Sequence, residues 1–142
     1  MEEEAKKEAE GKTEGEEEKV KVHEEIARIL NRSPITVFSK TYCHYSKRAK
    51  KLLLSEYRIE PAPYVVELDE HELGPEIQKW LGEFTGRTTV PNILINSKSI
   101  GGADDILELD RSNTLASTIK GLGGNQVSEI ERVHEVQDGD VE

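Results

Sequence analysis

The chain is expected to be an α/β protein, one small mixed sheet of four strands with helices on both faces. Three observations carry that expectation. The apolar run Ile35-Thr36-Val37-Phe38 leads through a lysine-rich helical segment to a second strand-like run, Tyr64 to Leu68. A strand–helix–strand unit of this kind favours a right-handed parallel crossover. Further on, Asn92 to Asn96 turns through Asn96-Ser97-Lys98 into Ser99-Ile100, a hairpin that adds an antiparallel pair.

The elements follow in order. Between Val20 and Leu30, apolar residues at 22, 26, 29 and 30 have the three-and-four spacing of an amphipathic helix, which Asn31-Arg32-Ser33-Pro34 ends. Ile35 to Phe38 is apolar enough for a strand buried on both faces. Cys43 to about Tyr57 continues as a helix, with Ala49, Leu52, Leu53 and Tyr57 inward and Lys47, Arg48, Lys50 and Lys51 mostly outward. Pro61-Ala62-Pro63 breaks it before the Tyr64–Leu68 strand. Gly74-Pro75 opens a helix with Ile77, Trp80, Leu81 and Phe84 on one stripe, and the loop 85–89 delivers the chain to Val90-Pro91. After the hairpin, Gly101-Gly102 stops the strand and Ala103-Asp104-Asp105 opens a helix to about Leu109. A last helix over 112–121 ends in the glycines at 121, 123 and 124.

Charge divides the chain into three. The formal net charge is −10 over 142 residues. Residues 1–19 hold nine Glu against four Lys, and residues 125–142 hold six acids against one Arg, so 20–124 is electrically balanced. Residues 1–19 are expected to be an acidic disordered leader, 20–124 one domain, and 125–142 an acidic tail. An acidic interaction arm is the alternative for the leader. The acidic balance, with no aromatic-rich basic patch, argues against nucleic acid as a partner. No apolar stretch approaches the ~20 residues of a membrane span, and no signal-peptide pattern opens the chain. One cysteine excludes an internal disulfide framework and fits either a reducing or an oxidising compartment.

That cysteine, Cys43, stands where the first strand hands over to a helix. A free thiol titrates near ~8.5, and a helix N-terminus with nearby cations brings that to roughly 3.5–7.5. The amides of Tyr45 and Ser46 and the charge of Lys40 supply both supports. Such a thiolate attacks disulfides; the alternative is a buried cysteine acting as a small hydrophobe. Ser46 occupies the place of the second thiol of a C-x-x-C pair, so an external thiol must release Cys43 from a mixed disulfide. The serine can equally satisfy a first-turn amide.

Two further stretches can hold a ligand. In Thr89-Val90-Pro91 a cis proline would free the Val90 N–H and C=O for an extended peptide, whereas a trans strand-leading proline would be structural only. Gly101-Gly102-Ala103-Asp104-Asp105 offers bare backbone and a helix N-terminus to a carboxylate, and carboxylates to an ammonium group. Read structurally, the same residues are a bulge and a helix cap.

Lys40, Cys43-His44-Tyr45-Ser46, Thr89-Val90-Pro91 and Gly101-Gly102-Ala103-Asp104-Asp105, in this order and spacing, resemble a glutaredoxin from about Ile35 to Gly121. Serine for the second cysteine resembles the monothiol branch, although Tyr45 replaces the phenylalanine of its main Cys-Gly-Phe-Ser class. Ser33-Pro34, the run Tyr64 to Asp69 and the stretch Gly86 to Asn92 resemble fungal secretory-pathway monothiol glutaredoxins. Those proteins carry an N-terminal membrane anchor, which is expected to be absent here.

The resemblance implies a thioredoxin-like fold, a cis Pro91 and glutathione lying extended beside Cys43. Lys40 and Gln78 would meet the glycine carboxylate, and the Val90 backbone the cysteinyl unit. The Ala103 and Asp104 amides would hold the γ-glutamyl carboxylate, Asp105 its ammonium, and Tyr45 and Thr89 would line the groove. Without the family, Gln78 is an exposed helix residue. The implied activity is glutathione-dependent reduction of protein–glutathione mixed disulfides through a Cys43–glutathione intermediate. The implied partners are glutathione and glutathionylated proteins, met by a monomer in the lumen of the secretory pathway or, alternatively, in the cytoplasm. His44 stands where relatives carry proline or serine; it can support the thiolate when protonated or face solvent. Family members without that proline also bind a 2Fe-2S cluster shared between two subunits through two cysteines and two glutathiones. The alternative function is therefore a cluster-binding homodimer with a storage or sensing role, Cys43 being the ligand from each chain.

Overall fold

The computed structural model describes residues 13–133. In chain order they form helix α1 (Glu14–Leu30), strand β1 (Ile35–Ser39), helix α2 (His44–Lys51), a π-helical turn (Leu52–Glu56) and strands β2 (Tyr57–Glu60) and β3 (Tyr64–Glu67). Helix α3 (Gly74–Thr85), strands β4 (Asn92–Ile95) and β5 (Lys98–Gly101), helices α4 (Ala103–Arg111) and α5 (Leu115–Gly123) and strand β6 (Glu129–Arg132) complete the fold.

The expected four-stranded mixed sheet is present, in the order β3-β1-β4-β5. β1 pairs parallel with β3 and antiparallel with β4, and β4 pairs antiparallel with β5. Alternation along β1 decides which core each side chain enters. Ile35 and Val37 face a core with Ala49, Leu52, Leu53, Ile106 and Ile119, under α2, α4 and α5. Phe38 faces the opposite core with Val22, Ile26, Ile29, Ile77 and Leu81, under α1 and α3. Every β1 residue is buried, so the strand ends in a rigid platform at the point where Cys43 follows.

Several expectations are corrected. Helix α1 starts at Glu14, inside the stretch read as leader, because Thr13 caps it by accepting from the Glu16 N–H and Glu14, Glu16 and Glu17 complement the N-terminal dipole. Residues 1–12 of that stretch lie outside the described residues. The helix after Cys43 does not run to Tyr57: it opens into the π-helical turn, and Tyr57 begins β2 with its ring still buried. The stretch read as an acidic tail contains β6, which pairs with β2 in a second, two-stranded sheet, Tyr57 opposite Arg132. Residues 134–142 are outside the described residues. Phe84 leaves the inward stripe of α3 and stacks, exposed, on Trp80 at 4.6 Å between ring centroids. The last helix begins at Leu115 rather than 112, since Ser112, Asn113 and Thr114 form a turn with Asn113 at φ 62°. Among the described residues no helix is long and apolar enough to cross a membrane.

A half-buried ion pair holds β6 in place. Arg132 donates from Nε to Asp110 Oδ1 at 3.0 Å and from Nη2 to Oδ2 at 2.9 Å. The Tyr57 hydroxyl donates to Asp110 Oδ1 at 2.6 Å, so α4, β2 and β6 meet on one carboxylate. Burial and the Asp110 carboxylate push the Tyr57 phenol well above its usual range.

Candidate active site

Cys43 is the N-cap of α2, with extended backbone (φ −82°, ψ 121°) and its side chain half-buried. The turn before it is closed by the Cys43 N–H donating to the Lys40 carbonyl at 3.1 Å. Ser46, fully buried one turn into α2, accepts from the Lys40 N–H at 3.3 Å. Its own hydrogen is thereby left for the sulfur. Burial pushes the Cys43 thiol up, but the net direction is down: donation from the Ser46 hydroxyl, the Ser46 and Tyr45 amides and the Lys40 charge outweigh it. In its protonated form the thiol points at the Val90 carbonyl, 3.8 Å away. Its partial exposure and these donors weigh against the buried-hydrophobe alternative for Cys43.

Pro91 is cis, which removes the trans alternative. A cavity of about 320 Å³ is lined by Tyr45, Arg87, Thr89, Val90, Pro91, Ala103 and Asp104. Six of the residues singled out in the sequence therefore share one groove, with Cys43 at its edge beside Val90. Tyr45 forms an exposed wall and Tyr42, on the other side of Cys43, is 70% exposed. In α4 the first helical bond is Ile106 N–H to Gly102 O at 3.1 Å. The Ala103 and Asp104 amides precede it and so have no partner within the helix.

Three expected residues sit at the margin. Lys40 is not among the groove's lining residues and acts on Cys43 by charge. Gln78 donates from Nε2 to the Thr88 carbonyl at 2.8 Å, which braces the loop carrying Thr89 and Val90. Asp105 caps α4, its Oδ2 accepting from the Gly102 N–H at 2.9 Å; the structural reading of the double glycine holds alongside the groove. His44 is exposed and meets the Tyr45 ring edge-on at 6.2 Å.

Two residues were missed. Arg87 donates from Nε to the Pro91 carbonyl at 3.1 Å and brings Nη1 to 3.8 Å from Asp105 Oδ2. It crosses directly over Gly102, where a Cβ would come within 2.0 Å of Nη2. Asp69 accepts from the Thr41 N–H at 2.9 Å and from the Thr41 hydroxyl, fastening the turn that carries Cys43. Both roles depend on contacts across the fold that residue type does not announce.

The comparisons agree with this geometry. The glutaredoxin family model matches residues 35–100. The chain is 46% identical over 96 residues to monothiol glutaredoxin-7 of Saccharomyces cerevisiae, covering 68% of this chain and 47% of that protein. It spans about half that relative's length. To glutaredoxin-C4 of Arabidopsis thaliana it is 42% identical over 105 residues, covering 74% of this chain and 75% of the relative. Among solved structures, the buckwheat glutaredoxin–glutathione complex matches with a TM-score of 0.64 at 36% identity, covering 79% of this chain and 97% of that one. Neighbours of this kind have the thioredoxin-like fold, and a single cysteine with Ser46 fits the monothiol relatives. The chain belongs to the glutaredoxin family.

Proposed function

We propose that the protein is a glutathione-dependent thiol–disulfide oxidoreductase that removes glutathione from protein mixed disulfides. The observation that carries this is the Cys43 sulfur, its thiol pKa lowered below the ordinary range by Ser46, two amides and Lys40, at the edge of a groove with unpaired backbone donors. The Cys43 thiolate attacks the glutathionyl sulfur, a Cys43–glutathione disulfide forms, and the substrate's sulfur leaves with the bonding pair and takes a proton. Ser46 offers no second thiol. A second glutathione thiolate therefore attacks the glutathionyl sulfur, making glutathione disulfide and returning Cys43 as thiolate.

Bound glutathione is expected to run along the groove. Its glycine carboxylate reaches Lys40 and Gln78, its central peptide pairs with Val90 beside Thr89 and Pro91, and its γ-glutamyl carboxylate takes the Ala103 and Asp104 amides. Asp105 keeps its Oδ1 for the ammonium group, and Arg87 adds a cation to the same end. The test is Cys43→Ser with a glutathionylated peptide: turnover is expected to vanish, and unchanged turnover would refute the assignment.

One observation favours a second reading, a shared 2Fe-2S cluster. Each chain brings one half-exposed free cysteine, so two chains and two glutathiones would complete a four-sulfur set, which the donor chemistry fits. Cys43 would be the ligand, and the bound cluster would supply iron–sulfur storage or redox sensing. Anaerobic reconstitution with iron, sulfide and glutathione should then give a coloured dimer; a colourless monomer counts against it. Ser33-Pro34 and the stretches 64–69 and 86–92 support a place in the secretory-pathway lumen, which cell fractionation tests.

A further inference from the structure

We infer that the exposed face of α2 is a docking surface for acidic segments of protein substrates. The inference rests on the proposed deglutathionylation at Cys43 and names the class of protein that site accepts. Helix α2 contains no acid and carries Lys47, Arg48, Lys50 and Lys51 in eight residues. Lys50 is spent internally on Glu67 at 2.7 Å. Lys47, Arg48 and Lys51 are exposed, Lys40 is half-buried, and none of these four makes an ion pair among the described residues.

Their placement relative to the sulfur gives the surface its meaning. Lys47 and Lys51 lie one and two turns along the helix that Cys43 caps, about 6 and 12 Å along the axis. Lys40 acts on the same sulfur by charge. Of the nearby acids, Glu67 is paired with Lys50, whereas Asp69, bonded to Thr41, keeps its charge close to Lys40, so the uncompensated cations of this face are Lys47, Arg48 and Lys51. Across the groove Arg87 lies 3.8 Å from Asp105 and beside the exposed Asp104, so the cations with no acid against them are those of the α2 side. The chain as a whole is acidic, at −10, and would repel an acidic partner at long range. The cationic face acts within about one Debye length, ~8 Å at physiological salt, and so selects for acids placed close to the modified cysteine. Exposed Tyr42 and Tyr45 beside Cys43 give a docked chain aromatic surface to cover.

The experiment compares three glutathionylated peptides of equal length with acidic, neutral and basic flanks. The mixed disulfide of glutathione with 2-mercaptoethanol serves as the reference substrate. At low salt, kcat/KM should favour the acidic over the basic peptide by on the order of tenfold, and added salt should flatten the difference. K47E/K51E should reverse the order and K47Q/K51Q abolish it, both leaving turnover of the small disulfide unchanged. Equal rates on the three peptides, or a preference that survives both variants, overturns the surface while leaving the redox reading intact. Failure of the wild type to turn over the small disulfide overturns both.

Discussion

The Asp69 carboxylate takes two hydrogen bonds from Thr41, one from its backbone N–H and one from its hydroxyl. Thr41 lies in the turn between Lys40 and Cys43, so the turn after β3 fastens the segment that carries Cys43, the proposed nucleophile. The bonds in turn hold Asp69 below the usual carboxylate range. Asp69→Ala is expected to lower kcat/KM on a glutathionylated peptide by roughly tenfold, the scale of a small misplacement at a reacting centre. Asp69→Asn can still accept from the N–H and donate to the hydroxyl oxygen, so it should retain most activity. If electrostatics alone mattered, the two variants would behave alike; parallel kinetics separate the cases.

Ser46 is expected to act on the thiolate through its hydroxyl hydrogen. Alkylation of Cys43 should rise with pH to a plateau whose midpoint lies below the ~8.5 of a free thiol, and fall as pH drops through that midpoint. Ser46→Ala should move the midpoint upward and slow alkylation at pH 7 by about threefold or more. An unmoved midpoint would mean that the helix amides and Lys40 suffice.

Gly102 is constrained by close approach, with Arg87 Nη2 and the Pro91 carbonyl against it. Gly102→Ala should displace the guanidinium and raise KM for glutathione several-fold, with a loss of about 1 kcal/mol in stability. Arg87→Ala, which removes the displaced group, should show the KM effect without the steric one. Equilibrium unfolding beside steady-state kinetics tells these apart.

The Asp110–Arg132 pair is expected to matter for folding rather than catalysis. Its side chains are 13% and 19% exposed. Burial pushes the Asp110 carboxyl up, but the Arg132 and Tyr57 hydrogen bonds outweigh it and leave its folded value depressed. Its contribution is therefore present above the unfolded carboxylate value of ~3.9 and lost as pH falls through the lower folded value. Asp110→Asn leaves the guanidinium uncompensated and should cost about 2–4 kcal/mol at pH 7, with a shallower acid limb in urea unfolding at pH 2 to 5.

How much of this was legible depended on whether the signal was local. Ile35 to Phe38 announced a buried strand because its neighbours in sequence suffice to show it, and Cys43 announced a helix cap for the same reason. Tyr57 misled because Leu52, Leu53 and Tyr57 keep helical spacing, while the π-helical turn that reorients the chain has no marker in residue type. Strand β6 was hidden in an acidic composition; the alternation around Ile130 and an arginine whose carboxylate is 22 residues away were its signals. Arg87 and Asp69 had positions in recognisable stretches, but their work lies in contacts with Pro91, Gly102 and Thr41 that exist only once the sheet has formed.

The most direct test is to mix the reduced protein with a glutathionylated peptide, quench with acid and weigh the intact chain. One glutathionyl group on Cys43, removed again by added reduced glutathione, is the expected result. A chain that never gains the group, or gains one that reduced glutathione does not remove, would contradict a monothiol exchange at this sulfur.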